Sequence, residues 1–531
     1  MTKNKTVPLI SERGWFLSGL LFFGLTFLPF PTSFVFSFIF LIPIIHLVDT
    51  SESLWKCYQK ILPILFVAFL LHHFTSIYIP MKLADKVLLV LGFNFFYASL
   101  FLIPITIYYL ISRRITSQFK IWLLPLCWLL YEYVINQSEI GIAVLSLHNT
   151  LNYFPFFTKG LAYVGTLGYT ALVLAFNVFI YQILISKEKA RKERIKYVML
   201  LGGGFVLLNI VGSLMNTSEP SETVKVAVVQ PNFNHTSSMK GGEAEARIKK
   251  MVRATTQISP DVDLIVWPET SIQGYVINMD SLKSNTVISY IRKQSIQSNI
   301  PILAGAILYR FYKNKSQATP TARPVDGSDT ALLYDVFNTA ILITPDSLPI
   351  QIYVKNKLVP FVERMPYIEY FPFAEGAKVS IGDAYPSYQI LKNEGPLSYR
   401  NMKILPLICS EGAYFNYAVS QLKDANIIVS VSNEGWTGKE IVTDILNNLM
   451  FPLSNGLDKS VVKCSNNGTS FGRDNNGITL SITKFNKQEI MEVSVPLTNS
   501  QTFYSRFAQV INFIIVILFL IPVLYGAVVK R

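Results

Sequence analysis

Three residues of this chain could do chemistry together, and each stands where an apolar run ends. Ile404-Leu405-Pro406-Leu407-Ile408 runs into Cys409, with Ser410, Glu411 and Gly412 behind it. Ile265-Val266-Trp267-Pro268 runs into Glu269, and Tyr353-Val354 into Lys355. Open α/β sheets place their sites at the carboxyl ends of strands, and a helix starting at the cysteine would favour thiolate over thiol. A cysteine nucleophile needs a base to take its proton and a donor or cation to hold the oxyanion. A buried carboxyl has a raised pKa and can be that base, while a lysine can serve the oxyanion. Each residue also has a bland reading. Cys409 could be a packed thiol, Glu269 a helix-start acid, and Lys355 a solvated loop cation with Lys357 as the competing amine. The recurrence of all three at strand ends favours chemistry.

Other chemistries are poorly supplied. Of five histidines, His46, His72, His73 and His148 fall in apolar stretches, and only His235 lies in the polar part. The four cysteines are Cys57, Cys127, Cys409 and Cys464, with no CxxC or Cys/His metal spacing. A zinc site and a histidine-based triad are therefore not expected, and neither a cofactor nor a metal is called for. Cys464 reads as a packing residue, since pairing with Cys409 would silence the nucleophile.

The elements that must position the three residues divide into two kinds. Charged residues make up only 15% of the 531 residues, well below the roughly 25% of soluble domains. The deficit is confined to 14–216 and 508–529. Runs long enough to cross a bilayer are expected near 14–30, 33–49, 61–79, 87–112, 121–137, 162–186, 197–215 and 508–528, about eight spans. The net charge of +13 points to a membrane's cytoplasmic face, not to nucleic acid, because the basic residues cluster at the ends of apolar runs. Counting them places both termini in the cytoplasm and residues 217–507 outside.

That middle region alternates strands and helices. Strands are expected near 224–229, 264–269, 301–308, 331–344, 350–354, 403–408, 426–432, 461–464, 477–483 and 489–496, and helices near 243–258, 281–298 and 440–453. Several strands lack inside/outside alternation, as in a sheet covered on both faces. An α-β-β-α sandwich fits. The stretch 310–330 reads as an exposed polar loop. The expected organisation is a membrane domain over 1–216, an extracytoplasmic α/β domain over 217–507, and a closing span with a cytoplasmic tail over 508–531.

Trp267-Pro268-Glu269-Thr270, Lys355 before Leu358-Val359-Pro360-Phe361, and Ile408-Cys409 with Glu411 resemble the Glu-Lys-Cys signature of the nitrilase, or carbon-nitrogen hydrolase, superfamily. With the flanking spans, the whole chain resembles its apolipoprotein N-acyltransferase branch. The resemblance implies Glu269 as general base and acid, Lys355 and the Ser410 N–H at the oxyanion, and Cys409 as nucleophile. It implies supporting acids at Glu363 and Glu411, and substrate contacts from Asn433 and Trp436. It further implies a phospholipid acyl donor, a diacylated lipoprotein acceptor, a thioester intermediate, a bacterial inner membrane and no nucleic-acid partner. A monomer is expected. The chain departs from the family pattern at Val362 for glycine, Ser410 for tyrosine, Glu434 for aspartate and Lys463 for arginine, and 230–260 lacks the lid tryptophan. The rival readings are a membrane-tethered amidase with water as acceptor, and a non-catalytic scaffold.

Overall fold

The structure, a computed structural model, describes residues 11–79, 83–115, 118–215, 222–233, 242–325, 332–371, 387–434 and 438–528. Helices occupy all eight expected apolar runs. Six are long and apolar enough to cross a membrane: Thr32–Thr50, Leu54–His72, Asp85–Ser112, Leu161–Ile185, Glu188–Leu214 and Phe503–Tyr525. Glu12–Phe27 and Leu123–Gln137 are shorter, at 16 and 15 residues. The protein is thus a multi-pass membrane protein. The third helix begins earlier than the apolar run suggests. Ser53 accepts a hydrogen bond from the Lys56 N–H and caps it, so Lys56 and Lys60 lie in its first turns and not in a loop.

The described residues between 222 and 497 form thirteen strands in two sheets. They are β1 Glu222–Gln230, β2 Leu264–Ile272, β3 Ile302–Tyr312, β4 Arg323–Pro324, β5 Leu333–Ile343, β6 Gln351–Val354, β7 Leu397–Tyr399, β8 Met402–Ile408, β9 Ile427–Ser432, β10 Ser460–Ser465, β11 Phe471–Arg473, β12 Thr479–Ile482 and β13 Glu489–Leu497. The first sheet has the order β13-β1-β2-β3-β5-β4, with β6 on β5; the second runs β12-β11-β10-β9-β8-β7. The parallel centres, β1-β2-β3 and β8-β9-β10, face each other through contacts of β1 and β2 with β9 and β10. Both faces of these strands are buried, so they read as unbroken apolar runs.

Helices cover the two outer faces. Glu243–Thr255 buries Ala244, Ile248, Met251, Val252 and Thr255, one stripe at helical spacing, and with Thr286–Ser298 it packs on the first sheet. Phe415–Leu422 and Phe451–Leu457 pack between the second sheet and the membrane helices. The expected single helix over 440–453 is two, Glu440–Leu449 and Phe451–Leu457. Pro452 sits in the first turn of the second, where its missing N–H costs nothing.

The stretch 310–330 is not a loose loop where it is described. β3 continues to Tyr312, paired with Leu333. The buried Asp335 carboxylate accepts hydrogen bonds from the Tyr312, Thr319 and Thr321 hydroxyls at 2.7–2.8 Å, tying the connection down.

The closing helix is keyed to both halves by one side chain. Tyr504 is fully buried, stacks on Phe415 and donates to Asn416 or Asn512. Gly165 breaks the Leu161–Ile185 helix with φ +62°, and a Cβ there would come within 2.1 Å of the Tyr504 ring. Gly165→Ala should therefore lower the thermal unfolding midpoint of the detergent-solubilised protein, at an overpacking cost of about 1–3 kcal/mol. An unchanged midpoint would mean that the two helices are not keyed through this ring.

Candidate active site

Glu269 is delivered by a break in β2. Pairing with β3 runs from Ile265 to Trp267, then resumes only at Ile272 opposite Ala306. Pro268 cannot donate to the ladder, and Thr270 takes φ +56°, so the chain bulges and turns the carboxylate inward. Gly305 lies under the bulge. A Cβ there would stand 2.5 Å from the Glu269 Cα, so only glycine leaves room. The Ser271 hydroxyl donates to the Gly305 carbonyl at 2.9 Å and closes the bulge.

Lys355 follows β6 and is wholly buried. Its Nζ donates to Glu363 Oε1 at 2.8 Å and to Glu269 Oε1 at 3.3 Å. Asn338, on β5 opposite, donates to the same Glu269 oxygen at 2.8 Å. The other Glu363 oxygen accepts from the Val359 N–H at 2.8 Å. Lys357, the rival amine, points away. Its ammonium donates to the carbonyls of Asn136 and Gln137 at 3.1 and 3.3 Å, at the carboxyl end of the membrane helix Leu123–Gln137, where a cation is favoured.

Cys409 ends β8 with φ +50°, a conformation rare outside glycine. The expected helix start is a five-residue 3₁₀ turn, Cys409–Ala413, and the helix Phe415–Leu422 comes only after it. Thiolate is accordingly not favoured at rest. Burial pushes the Cys409 thiol well above its ordinary range, the Glu269 charge pushes it further, and Lys355 opposes both. Burial likewise raises Glu269, with Lys355 opposing. Burial lowers Lys355, but Glu269 and Glu363 outweigh it and hold the ammonium well above its usual value. A proton-bearing thiol on half-buried Cys409 thus lies in the field of a buried high-pKa acid and a buried permanent cation.

Glu411 braces the strand ends. Its buried carboxylate accepts the Ile408 N–H at 2.9 Å and the Asn356 and Lys357 N–H groups at 2.8 and 3.3 Å, joining the β8 end to the Lys355 loop. The Ser410 hydroxyl donates to the Lys357 carbonyl at 2.7 Å, a third tie between the same loops. Asn433 donates to the Thr270 hydroxyl and accepts from Asn466, both at 3.1 Å. It therefore steadies the β2 bulge. Trp436 lies outside the described residues. All four cysteines are free, and Cys464 is buried on β10 with its S–H facing the Val229 and Val266 carbonyls.

The sequence reading missed Asn338, Gly305 and the partnership of Glu434 with Lys463. Asn338 did carry a signal, an amide inside the apolar run Val336-Phe337-Asn338-Thr339-Ala340. Glu434 and Lys463, both departures from the family pattern, form a buried ion pair. Glu434 also accepts from the Thr443 and Ser432 hydroxyls at 2.9 and 3.1 Å, and Lys463 donates to Asn447 at 2.6 Å. Among the described residues no group of three or more His, Cys, Asp or Glu side chains is placed to hold a metal ion.

Comparison with known proteins bears on the whole chain. A protein named Apolipoprotein N-acyltransferase from Chlorobaculum tepidum is 25% identical over 460 residues, 82% of each chain. One of the same name from Rickettsia prowazekii is 21% identical over 541 residues, 98% of each. Among solved structures, a carbon-nitrogen hydrolase from Helicobacter pylori is 12% identical and aligns over 55% of this chain and 93% of that one, with a TM-score of 0.35. Residues 225–503, more than half of the chain, match the family described as Carbon-nitrogen hydrolase, and the chain belongs to that family.

Proposed function

We propose that this protein is an N-acyltransferase that moves a fatty acyl chain from a membrane phospholipid to the amino-terminal amine of a diacylglyceryl-cysteine lipoprotein, through a thioester on Cys409. The observation that carries the reading is the buried Lys355 ammonium between Glu269 and Glu363, in the field of the Cys409 thiol. The likeness to proteins named Apolipoprotein N-acyltransferase over most of the chain supports the substrate class.

Charge counting explains the order of steps. With Glu269 and Glu363 ionised and Lys355 protonated, the cluster already carries one net negative charge, so a free thiolate would add a second. Passing the Cys409 proton to Glu269 keeps the total unchanged. As the sulfur attacks the ester carbonyl, negative charge moves to the carbonyl oxygen, beside the Lys355 Nζ and the Ser410 N–H. Collapse expels the lysophospholipid oxygen, which takes the proton from Glu269 and leaves the thioester. The acceptor amine then attacks the thioester and gives its proton to Glu269, and the departing sulfur recovers it. Glu363 and Glu411 hold the lysine and the strand ends, and Asn433 and Trp436 are the substrate contacts that the family resemblance implies.

A bilayer belongs with this chemistry. Drawing a two-chain lipid into water exposes about 0.8 kcal/mol per methylene, so a site seated on the membrane half avoids a prohibitive transfer. The charge pattern of the loops supports a site on the periplasmic side of a bacterial inner membrane, with both termini in the cytoplasm.

Incubated with phospholipid labelled in its acyl chains, the wild-type protein in nanodiscs should acquire label as a hydroxylamine-sensitive adduct at Cys409, and Cys409→Ala should acquire none. Added lipopeptide amine should then take up the label. Label released only as free fatty acid would identify a hydrolase and end the transferase reading; an adduct surviving in Cys409→Ala would end both.

The pH dependence follows from Glu269. Its carboxyl is raised above the ordinary 4.5 by burial, and only the deprotonated form is a base. Acyl-enzyme formation should therefore rise with pH along a limb centred above 4.5. Glu269→Gln should remove that limb and lower the rate by about 10²–10⁴-fold, as read by a pH–rate profile. A limb that survives the substitution would assign the base elsewhere.

A further inference from the structure

Residues 136–141 of the membrane half touch the connection that carries Lys355 and Glu363 at two places and the turn that carries Cys409 at a third. The Asn136 and Gln137 carbonyls accept from Lys357, two residues beyond Lys355. The Gly141 carbonyl accepts from the Tyr414 hydroxyl at 2.6 Å, on the turn that follows Cys409. Glu139 takes the later part of the Lys355 connection. One oxygen of its carboxylate accepts the Tyr367 N–H at 2.7 Å and lies 3.7 Å from the Arg364 Nε.

This segment is held rigidly. It folds tightly back over the end of its helix, and a Cβ on Gly141 would stand 2.1 Å from the Ile135 carbonyl oxygen. The Tyr97 hydroxyl, from the neighbouring membrane helix Asn94–Ser112, donates to the Ile140 carbonyl at 2.8 Å.

The loop it grips is strained and carries Glu363. Phe361 and Tyr367 both have positive φ, 65° and 55°, conformations that persist only when neighbours enforce them. Arg364, next to Glu363, is buried. Its Nη1 donates to the Tyr388 carbonyl at 3.0 Å and to the Gln389 side chain at 3.2 Å, its Nη2 pairs with Glu369, and its Nε has no hydrogen-bond partner. Glu139 is the carboxylate facing that Nε. The Glu363 carboxylate in turn holds Lys355 at 2.8 Å.

We propose that Glu139 is a positioning residue: from the membrane half it fixes, through Arg364 and the Tyr367 N–H, the loop whose Glu363 sets the place of the Lys355 ammonium. The inference rests on the acyl-transfer reading for its rate measurement, and on geometry alone for its second measurement. Glu139 touches no reacting atom. Its removal displaces the cation that stabilises the oxyanion, and misplacements of about 1 Å in such groups cost up to about 10²-fold.

The test uses the full-length protein in nanodiscs, with Glu139→Gln, which keeps the shape and removes the charge, and Glu139→Asp, which keeps the charge. Two quantities are read: the kcat and KM of acyl-enzyme formation from phospholipid, and the rate at which iodoacetamide alkylates Cys409, followed by peptide mass spectrometry. Glu139→Gln should lower kcat about tenfold with KM unchanged, and slow alkylation of Cys409 by a similar factor, because the thiolate loses its cation. Glu139→Asp should recover part of both. Wild-type kcat and alkylation in Glu139→Gln would overturn the proposal, as would a fall in KM alone. Should Glu139→Gln fail to fold, Arg364→Lys is read by the same two measurements with the same expectation, and wild-type values there overturn it too. If the wild-type protein forms no acyl-enzyme while alkylation still slows in Glu139→Gln, the transfer reading falls and the positioning role stands.

Discussion

A lysine ammonium with no exposure to solvent is the constraint on which the site depends. Removing such a charge from water costs several kcal/mol, and only close, well-aligned opposite charges return it. Lys355 has two, Glu363 at 2.8 Å and Glu269 at 3.3 Å. Each carboxylate must itself be satisfied. Glu269 has Asn338, and Glu363 has the Val359 N–H. The cluster therefore dictates where β2, β5, β6 and the loop after β6 can lie relative to one another. Removing any one partner leaves a buried charge unmatched, so the geometry is all-or-none.

The same constraint explains the local backbone. Glu269 reaches the lysine because β2 bulges over Gly305, and the chain leaves β8 at Cys409 with φ +50°. Strain of this kind costs about 1–3 kcal/mol per residue and persists where the surroundings over-determine it. Here the surroundings include the second sheet, through Asn433 on Thr270, and Glu411, whose carboxylate spans the β8 end and the Lys355 loop. Two sheets packed face to face supply what neither could alone.

What the sequence made legible follows from this physics. Buried parallel strands must be apolar throughout, so their ends announce themselves wherever an ionisable residue interrupts the run. That is why Glu269, Lys355 and Cys409 could be picked out, and why the α-β-β-α layering was readable. Choosing Lys355 over Lys357 was not possible by composition. The two differ only in which side of the strand end they leave, and Lys357 finds helix-end carbonyls in a segment more than 200 residues away in the chain. The helix start expected at Cys409 is a short 3₁₀ turn, with the Glu411 carboxylate folded back onto the Ile408 N–H. The extended strand β3 and the anchored stretch after it were hidden because Asp335, which holds them, looks from sequence like any strand-edge acid.

Departures from a family pattern read differently once their partners are visible. Glu434 in place of aspartate adds a methylene to the acid, and Lys463 in place of arginine shortens the base. In the fold they meet as one buried pair, with Gly468 so close that a Cβ there would lie 2.0 Å from Glu434 Oε2. The pair is closely enclosed, in a core that cannot adjust. Glu434 follows Asn433, which steadies the β2 bulge through Thr270, and its charge reaches Cys409. The pair thus bears on the acid, amine and sulfur from outside, through Asn433 and Thr270, and is not one of them.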